Sequence, residues 1–226
     1  MSPDDPIFVN RRDAGRRLAA VLLKRGYRDP LVLALPRGGV PVAFEIAEAL
    51  IAPLDVLFVS KIGMPGHEEL ALGAVVDGTD PQIVLNKEIM AEAEINAGYV
   101  TGAAGLKLKE IRRRRLLYRR NNAAFSIAGR TAIVVDDGIA TGATVRAALR
   151  GARRQRPECL AVAIPVAPAD SLDDLAGECD EVICLAIPER FYSVGTYYED
   201  FAPVPDEEVI QLLHRAQLHL RKEPVF

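Results

Sequence analysis

The sequence predicts an α/β domain, a parallel central sheet flanked by helices. Two patterns carry this expectation. Short, mainly apolar runs recur at residues 31–35, 54–59, 131–135, 160–166 and 182–187, as in strands buried on both faces. Segments with apolar residues at helical spacing lie between most of them, and residues 31–59 read as strand, glycine turn, helix, strand. That is a βαβ unit, whose crossover is right-handed.

Taken in order, residues 11–26 predict a helix with Ala14, Leu18, Val21 and Leu22 on one face and Gly26 at its stop. After the first strand, Pro41 opens a second helix that buries Ala43, Ile46, Ala47 and Leu50. Residues 61–69 read as a loop carrying His67, Glu68 and Glu69, and 72–76 and 83–85 as weaker strands around a turn at 77–81. Residues 88–121 read as an Arg-rich helical insertion projecting from the sheet, interrupted at 98–105. A helix expected from Ala140 buries Val145, Ala148, Leu149 and Ala152, and residues 171–177 form a short helix. The last helix starts at Asp206-Glu207-Glu208, a favourable negative first turn, and buries Val209, Leu212, Leu213, Ala216 and Leu220. Without repeats or low-complexity linkers, residues 1–226 read as one domain.

Composition narrows the function. With 226 residues, 50% of them hydrophobic, the chain builds its core without staples. A net charge of −3 argues against a general nucleic-acid binder, so any phosphate must be held locally. Three cysteines without metal-ligand spacing suit a reducing compartment. The acidic, proline-broken first residues do not read as a secretion signal, and no apolar run approaches the roughly 20 residues of a membrane span. The expectation is a cytoplasmic protein with no membrane and no nucleic-acid partner.

The densest chemistry follows the strand at 131–135. Asp136 and Asp137 come first, and Gly138-Ile139-Ala140-Thr141-Gly142-Ala143-Thr144 then runs into a helix. Small residues let backbone N–H groups approach a phosphate, and the helix start adds partial positive charge. Thr141 and Thr144 add hydroxyls, while adjacent carboxylates suit two vicinal hydroxyls. Together these describe a ribose 5-phosphate site. Pro36-Arg37-Gly38-Gly39, after the first strand, offers further N–H groups and a cation able to fork onto phosphate oxygens.

Val134-Val135-Asp136-Asp137-x-x-x-Thr141-Gly142-x-Thr144 resembles the phosphoribosyl-diphosphate signature of the type I phosphoribosyltransferases. The resemblance runs in order over residues 31–213. It implies that the signature loop cradles the 5-phosphate, that Asp136 and Asp137 hold ribose hydroxyls, and that Arg37, Gly38 and Gly39 form the diphosphate loop. It also implies Mg²⁺ as cofactor, phosphoribosyl diphosphate and a small acceptor as ligands, and a homodimer. Lys61, leaving the second strand, is a further candidate for the diphosphate, the alternative being an ordinary surface loop. The expected group is the uncharacterised bacterial phosphoribosyltransferases, which the chain resembles in Lys61-Ile62-Gly63-x-Pro65-Gly66, Leu70-Ala71-x-Gly73-Ala74 and Tyr198-Glu199-Asp200-Phe201.

Residues 186–205 resemble the hood of the 6-oxopurine salvage enzymes, although one extra residue separates Phe191 from Val194-Gly195. There an aromatic at Phe191 stacks on the base and an acid near Glu199 or Asp200 helps bind magnesium. The alternative is that Phe191, Tyr192, Tyr197 and Tyr198 pack a small lid. The lysine that reads a 6-oxo group in those enzymes has no counterpart in 163–168, which departs from hypoxanthine or guanine specificity. Arg112 to Arg115, with Arg119 and Arg120, point around a helix rather than along a stripe, as in a solvated face, a dimer contact or a cation reaching the site. A non-catalytic sensor of phosphoribosyl diphosphate is the rival function.

Overall fold

The computed structural model describes residues 6–64, 67–76, 81–85, 97–119 and 124–222. Five strands form the parallel sheet: β1 (Pro30–Ala34), β2 (Leu54–Val56), β6 (Thr131–Val135), β7 (Cys159–Val166) and β8 (Glu181–Ala186), in the order β2-β1-β6-β7-β8. All four neighbouring pairs are parallel. Successive side chains point to opposite faces, so each strand feeds two cores. Val32, Ala34, Ile133, Val135, Ala161 and Ala163 pack on one face with Leu18 and Leu22 of α1 (Arg11–Leu22), Phe44 and Ile46 of α2 (Gly39–Leu50), and the C-terminal helix. Leu31, Leu33, Ala132, Val134, Leu160 and Val162 pack on the other, against α4 (Ala143–Arg154) and α5 (Ala169–Ala176). The continuous apolar runs follow from this two-sided burial.

The expected second strand, 54–59, divides. Only Leu54–Val56 pairs in the main sheet, and from Val59 the chain enters a separate antiparallel sheet of β3 (Val59–Met64), β4 (His67–Val76) and β5 (Gln82–Leu85). The loop expected at 61–69 is therefore strand over 61–64 and 67–69, because the cross-strand ladder satisfies its backbone groups. Pro65 and Gly66, the turn at 77–80 and residues 88–96 lie outside the described residues. Among the described residues of the insertion, 97–119, the chain is one continuous helix, α3 (Ala97–Arg119), not broken at 98–105. Nor does it simply project, since Val100, Ala104, Ile111 and Tyr118 are buried in the first core beside the last helix, α6 (Asp206–Lys222).

Residues 7–9 pair with the stretch expected as a hood, 186–205. Ile7 and Phe8 N–H groups both donate to Tyr197 O at 3.0 Å, and Glu199 and Asp200 N–H groups donate to Phe8 O and Val9 O at 2.9 Å. Phe8 packs with Val166, Tyr197 and Tyr198, with Phe191, Val194 and Phe201 around them.

Two glycines test this packing in opposite directions. A Cβ on Gly39 would lie 2.6 Å from Val135 O, whereas one on Gly105 in α3 would meet nothing within 4 Å. Gly39→Ala is expected to lower stability by about 1–3 kcal/mol through overpacking, and Gly105→Ala to raise it by up to about 1 kcal/mol through helix propensity. Thermal denaturation of both variants decides this, and equal shifts would contradict the packing.

Candidate functional site

β1 and β6 lie side by side with Ala34 opposite Val135, and the Leu35 N–H donates to Val135 O at 2.8 Å. Their carboxyl ends therefore bring residues 36–39 against Asp136 and Asp137. The contact is close enough to exclude side chains: a Cβ on Gly38 would sit 2.0 Å from Asp137 Oδ2, and one on Gly39 3.0 Å from Asp136 Cα. Gly38 caps α2, and the Pro36–Arg37 peptide is cis. The half-exposed Arg37 lies 3.8 Å from Asp206 Oδ1, at the start of α6. Asp206 Oδ1 also accepts the Tyr118 hydroxyl at 2.5 Å. Burial, and then this carboxylate, push the Tyr118 phenol up to about 12. Through Tyr118, α3 reaches the neighbour of Arg37, though with a phenol rather than a cation.

On the other side of the acids, residues 138–142 remain loop. The helix begins at Ala143 rather than Ala140, because Gly142 takes φ +69° as its N-cap. No side chain caps this end, and the first N–H groups of a helix have no intrahelical acceptor, leaving donors for an anion. Ile139 N–H donates to Val166 O at 3.0 Å, and the Ser171 hydroxyl donates to Ala140 O at 2.8 Å, fixing the loop from β7 and α5. Thr141 is exposed and Thr144 half-buried. Ser171, placed by the sequence only as a helix residue, is part of this support.

The two acids are not equivalent. Asp136 Oδ1 accepts the Asp137 N–H at 2.9 Å. Its carboxyl is held well above the usual carboxylate range by burial first and then by the adjacent Asp137, with Arg11 opposing. One oxygen of Asp137 is already engaged, since Arg11 Nε donates to its Oδ2 at 2.7 Å, with both side chains nearly buried. The Tyr198 hydroxyl donates to Asp137 O at 2.6 Å, and burial, then the Asp137 charge, raise that phenol above its ordinary value. Arg11 is the residue that sequence reasoning missed. Nothing in Asn10-Arg11-Arg12 distinguishes it from the surface of an amphipathic helix.

Lys61 is exposed on β3 opposite Ala74, and no described hydrogen bond or ion pair joins it to the acids. The half-buried Phe191 stacks on Tyr197 at 5.5 Å within the hood. Glu199 and Asp200 are exposed, and Asp200 Oδ1 accepts Ala202 N–H at 3.0 Å. Among the described residues no group of three or more His, Cys, Asp or Glu side chains is placed to hold a metal ion.

The Asp136 environment sets a pH dependence. A carboxyl raised in the folded state stabilises the fold below its unfolded value, and that contribution is lost as pH rises through the folded value. Asp136→Asn keeps an oxygen for the Asp137 N–H and removes the titration. Its melting temperature is expected to exceed that of the parent at neutral pH, with the gain shrinking toward about pH 4, the ordinary aspartate value. A gain independent of pH would remove Asp136 from this account.

A phosphoribosyl transferase domain model matches residues 9–199. Two Mycobacterium tuberculosis relatives, from strains CDC 1551 / Oshkosh and ATCC 25618 / H37Rv, are provisionally named phosphoribosyl transferases. Each is 44% identical over 210 residues, covering 93% of this chain and 47% of the relative. The chain thus spans about half the length of the curated relatives it matches. The crystal structure of TT1426 from Thermus thermophilus aligns with a TM-score of 0.83 at 40% identity, covering 92% of this chain and 98% of that one. With the family model spanning both loops and the acid pair between them, the chain belongs to the phosphoribosyl transferase domain family.

Proposed function

We propose that the protein transfers the phosphoribosyl group of phosphoribosyl diphosphate to a nitrogen of a base or related acceptor, releasing diphosphate. The observation that carries this reading is the meeting of the uncapped start of α4, the acid pair and the Arg37-Gly38-Gly39 loop at the carboxyl end of the parallel sheet. Backbone N–H groups of Gly138, Ile139, Ala140, Thr141, Gly142, Ala143 and Thr144 are the 5-phosphate cradle, less Ile139, whose N–H is spent on Val166. Asp136 and Asp137 accept from ribose hydroxyls. Arg37, with Gly38 and Gly39, receives the diphosphate, and Lys61 on the neighbouring hairpin is a second cation for it.

In the reaction the bond from ribose C1 to diphosphate oxygen breaks, C1 bonds the acceptor nitrogen, and the acceptor proton leaves. The chain's part is to orient the two reactants and to face the charge that develops. Mg²⁺ suits this donor set, because it is commonly held by one or two carboxylates together with substrate phosphate oxygens. It would supply neutralisation of the departing diphosphate. Glu199 and Asp200 are further carboxylates for it on the hood side.

The reading implies a single small-molecule enzyme domain over 1–226, with an insertion at 88–121 and a hood at 186–205, acting in the cytoplasm as a homodimer without a nucleic-acid or membrane partner. No described helix is long and apolar enough to cross a membrane.

The direct test is diphosphate release from phosphoribosyl diphosphate and Mg²⁺ over a panel of bases. Turnover on at least one base is expected, and binding without turnover on any would instead indicate a sensor. Asp136→Asn and Asp137→Asn should each weaken phosphoribosyl diphosphate binding about 10- to 100-fold, the scale of hydrogen bonds to a charged group. Calorimetry showing unchanged affinity in both would remove them from the ribose site.

Acceptor choice gives a second test. β7 ends in Pro165-Val166 and continues into Ala167-Pro168, with no lysine to meet a 6-oxo group. Leaving that oxygen unpaired on burial costs about 1–3 kcal/mol, so hypoxanthine and guanine are expected to be poor acceptors. Phe191→Ala is expected to raise acceptor KM more than it weakens phosphoribosyl diphosphate binding, because stacking serves only the base. Efficient use of guanine would refute the first expectation, and an unchanged acceptor KM would leave Phe191 as packing of the lid.

A further inference from the structure

Asp137 is where three separate parts of the chain meet. Its carboxylate lies against Gly38 of the diphosphate loop, its backbone carbonyl accepts the Tyr198 hydroxyl of the hood, and Arg11 from the start of α1 holds its Oδ2. Arg11 does more than neutralise the acid. A second nitrogen of the same guanidinium donates to the carbonyl of Ala202 at 2.8 Å, and its carbon lies 3.7 Å from the centre of the Phe201 ring. Phe201 in turn packs on Tyr198, with ring centres 4.9 Å apart. The side chains of Arg11 and Asp137 are only 11% and 15% exposed, so solvent screens this pair little.

A planar, forked cation has several donors in fixed directions and a flat face for stacking, which a lysine lacks. Here two of the donors and the face are used, and each partner except Asp137 belongs to the hood. A surface arginine serving only the stability of α1 would not need this set of contacts.

We propose that Arg11 is a positioning residue for the phosphoribosyl site, fixing the Asp137 carboxylate toward the ribose hydroxyls and joining it to the hood through Ala202 and Phe201. The proposal rests on the reading of Asp137 as a ribose ligand. It makes the hood part of the phosphoribosyl-binding apparatus as well as a cover for the acceptor. Phe201 then influences a ligand through Arg11 rather than through contact of its own.

The test is calorimetric titration of the full chain with phosphoribosyl diphosphate and Mg²⁺, comparing the parent with Arg11→Gln, Asp137→Asn and the double variant. Arg11→Gln is expected to weaken binding about tenfold, the lower end of a charge-assisted hydrogen bond, and the double variant to bind no worse than Asp137→Asn alone. Additive losses, or an unweakened Arg11→Gln, would overturn the proposal, since a merely structural arginine need not act through Asp137. Phe201→Leu leaves every hydrogen bond in place and gives an independent reading should Arg11→Gln fail to fold. It is expected to weaken binding about threefold, the scale of one cation–π contact, and affinity unchanged in Phe201→Leu overturns the link to the hood. A parent that fails to bind phosphoribosyl diphosphate refutes the proposed function and this inference with it. A parent that binds while Arg11→Gln binds equally well refutes the inference alone.

Discussion

The pairing of β1 with β6 is the constraint on which the site depends. After β1 the chain goes outward to β2, and it returns later to place β6 on the opposite side of β1, with β7 and β8 beyond. The strand order reverses between β1 and β6, and in open parallel sheets the crevice outside the carboxyl ends at such a reversal is the place for a ligand. One hydrogen bond past the ladder, from Leu35 to Val135, keeps the strands together until both turn into loops. Gly38 and Gly39 then let α2 start directly against the acids. Any side chain there would push residues 36–39 away from the acids and the loop that follows them.

The parallel sheet is legible because two-sided burial writes itself as uninterrupted apolar runs such as Leu31-Val32-Leu33-Ala34-Leu35, all buried in the structure. The antiparallel sheet is not, for a related reason. In β3, Ile62 is buried while Lys61 is exposed and Gly63 and Met64 are half-buried, so no run or clean alternation appears and the segment resembles a loop. Its order comes from pairing with β4, a non-local fact. The helix α3 misleads in the opposite sense. Gly98, Gly102 and Gly105 look like breaks, yet Val100, Ala104, Ile111 and Tyr118 anchor one side of the helix in the core, and tertiary packing outweighs the cost of exposed glycines.

The legible part of the site is the part with local chemistry. Asp136, Asp137 and the small residues after them form a contiguous stretch, and their position at the end of an apolar strand is enough to suggest a phosphate and a diol. What is not legible is how the acids differ. Asp136 is shifted by burial, and Asp137 is claimed by Arg11 from 126 positions away. Neither fact has a signature within a window of sequence, because each depends on which distant segments the fold delivers to the same edge.

The stitching of residues 7–9 to the hood has a consequence for the order in which the molecule can be assembled. The contacts of Phe8 with Tyr198, and of Arg11 with Ala202 across 191 positions, join two segments that are far apart in sequence. On a ribosome residues 7–11 must wait for that distant segment before their partner exists, and closing so long a loop is entropically costly until the central sheet brings the two near. The contact of Arg11 with Asp137 and Ala202 is thus a late product of folding. A fusion, cleavage or chaperone acting close to Ile7 would act on the surroundings of Asp137, even though Ile7 lies far from Asp137 in sequence.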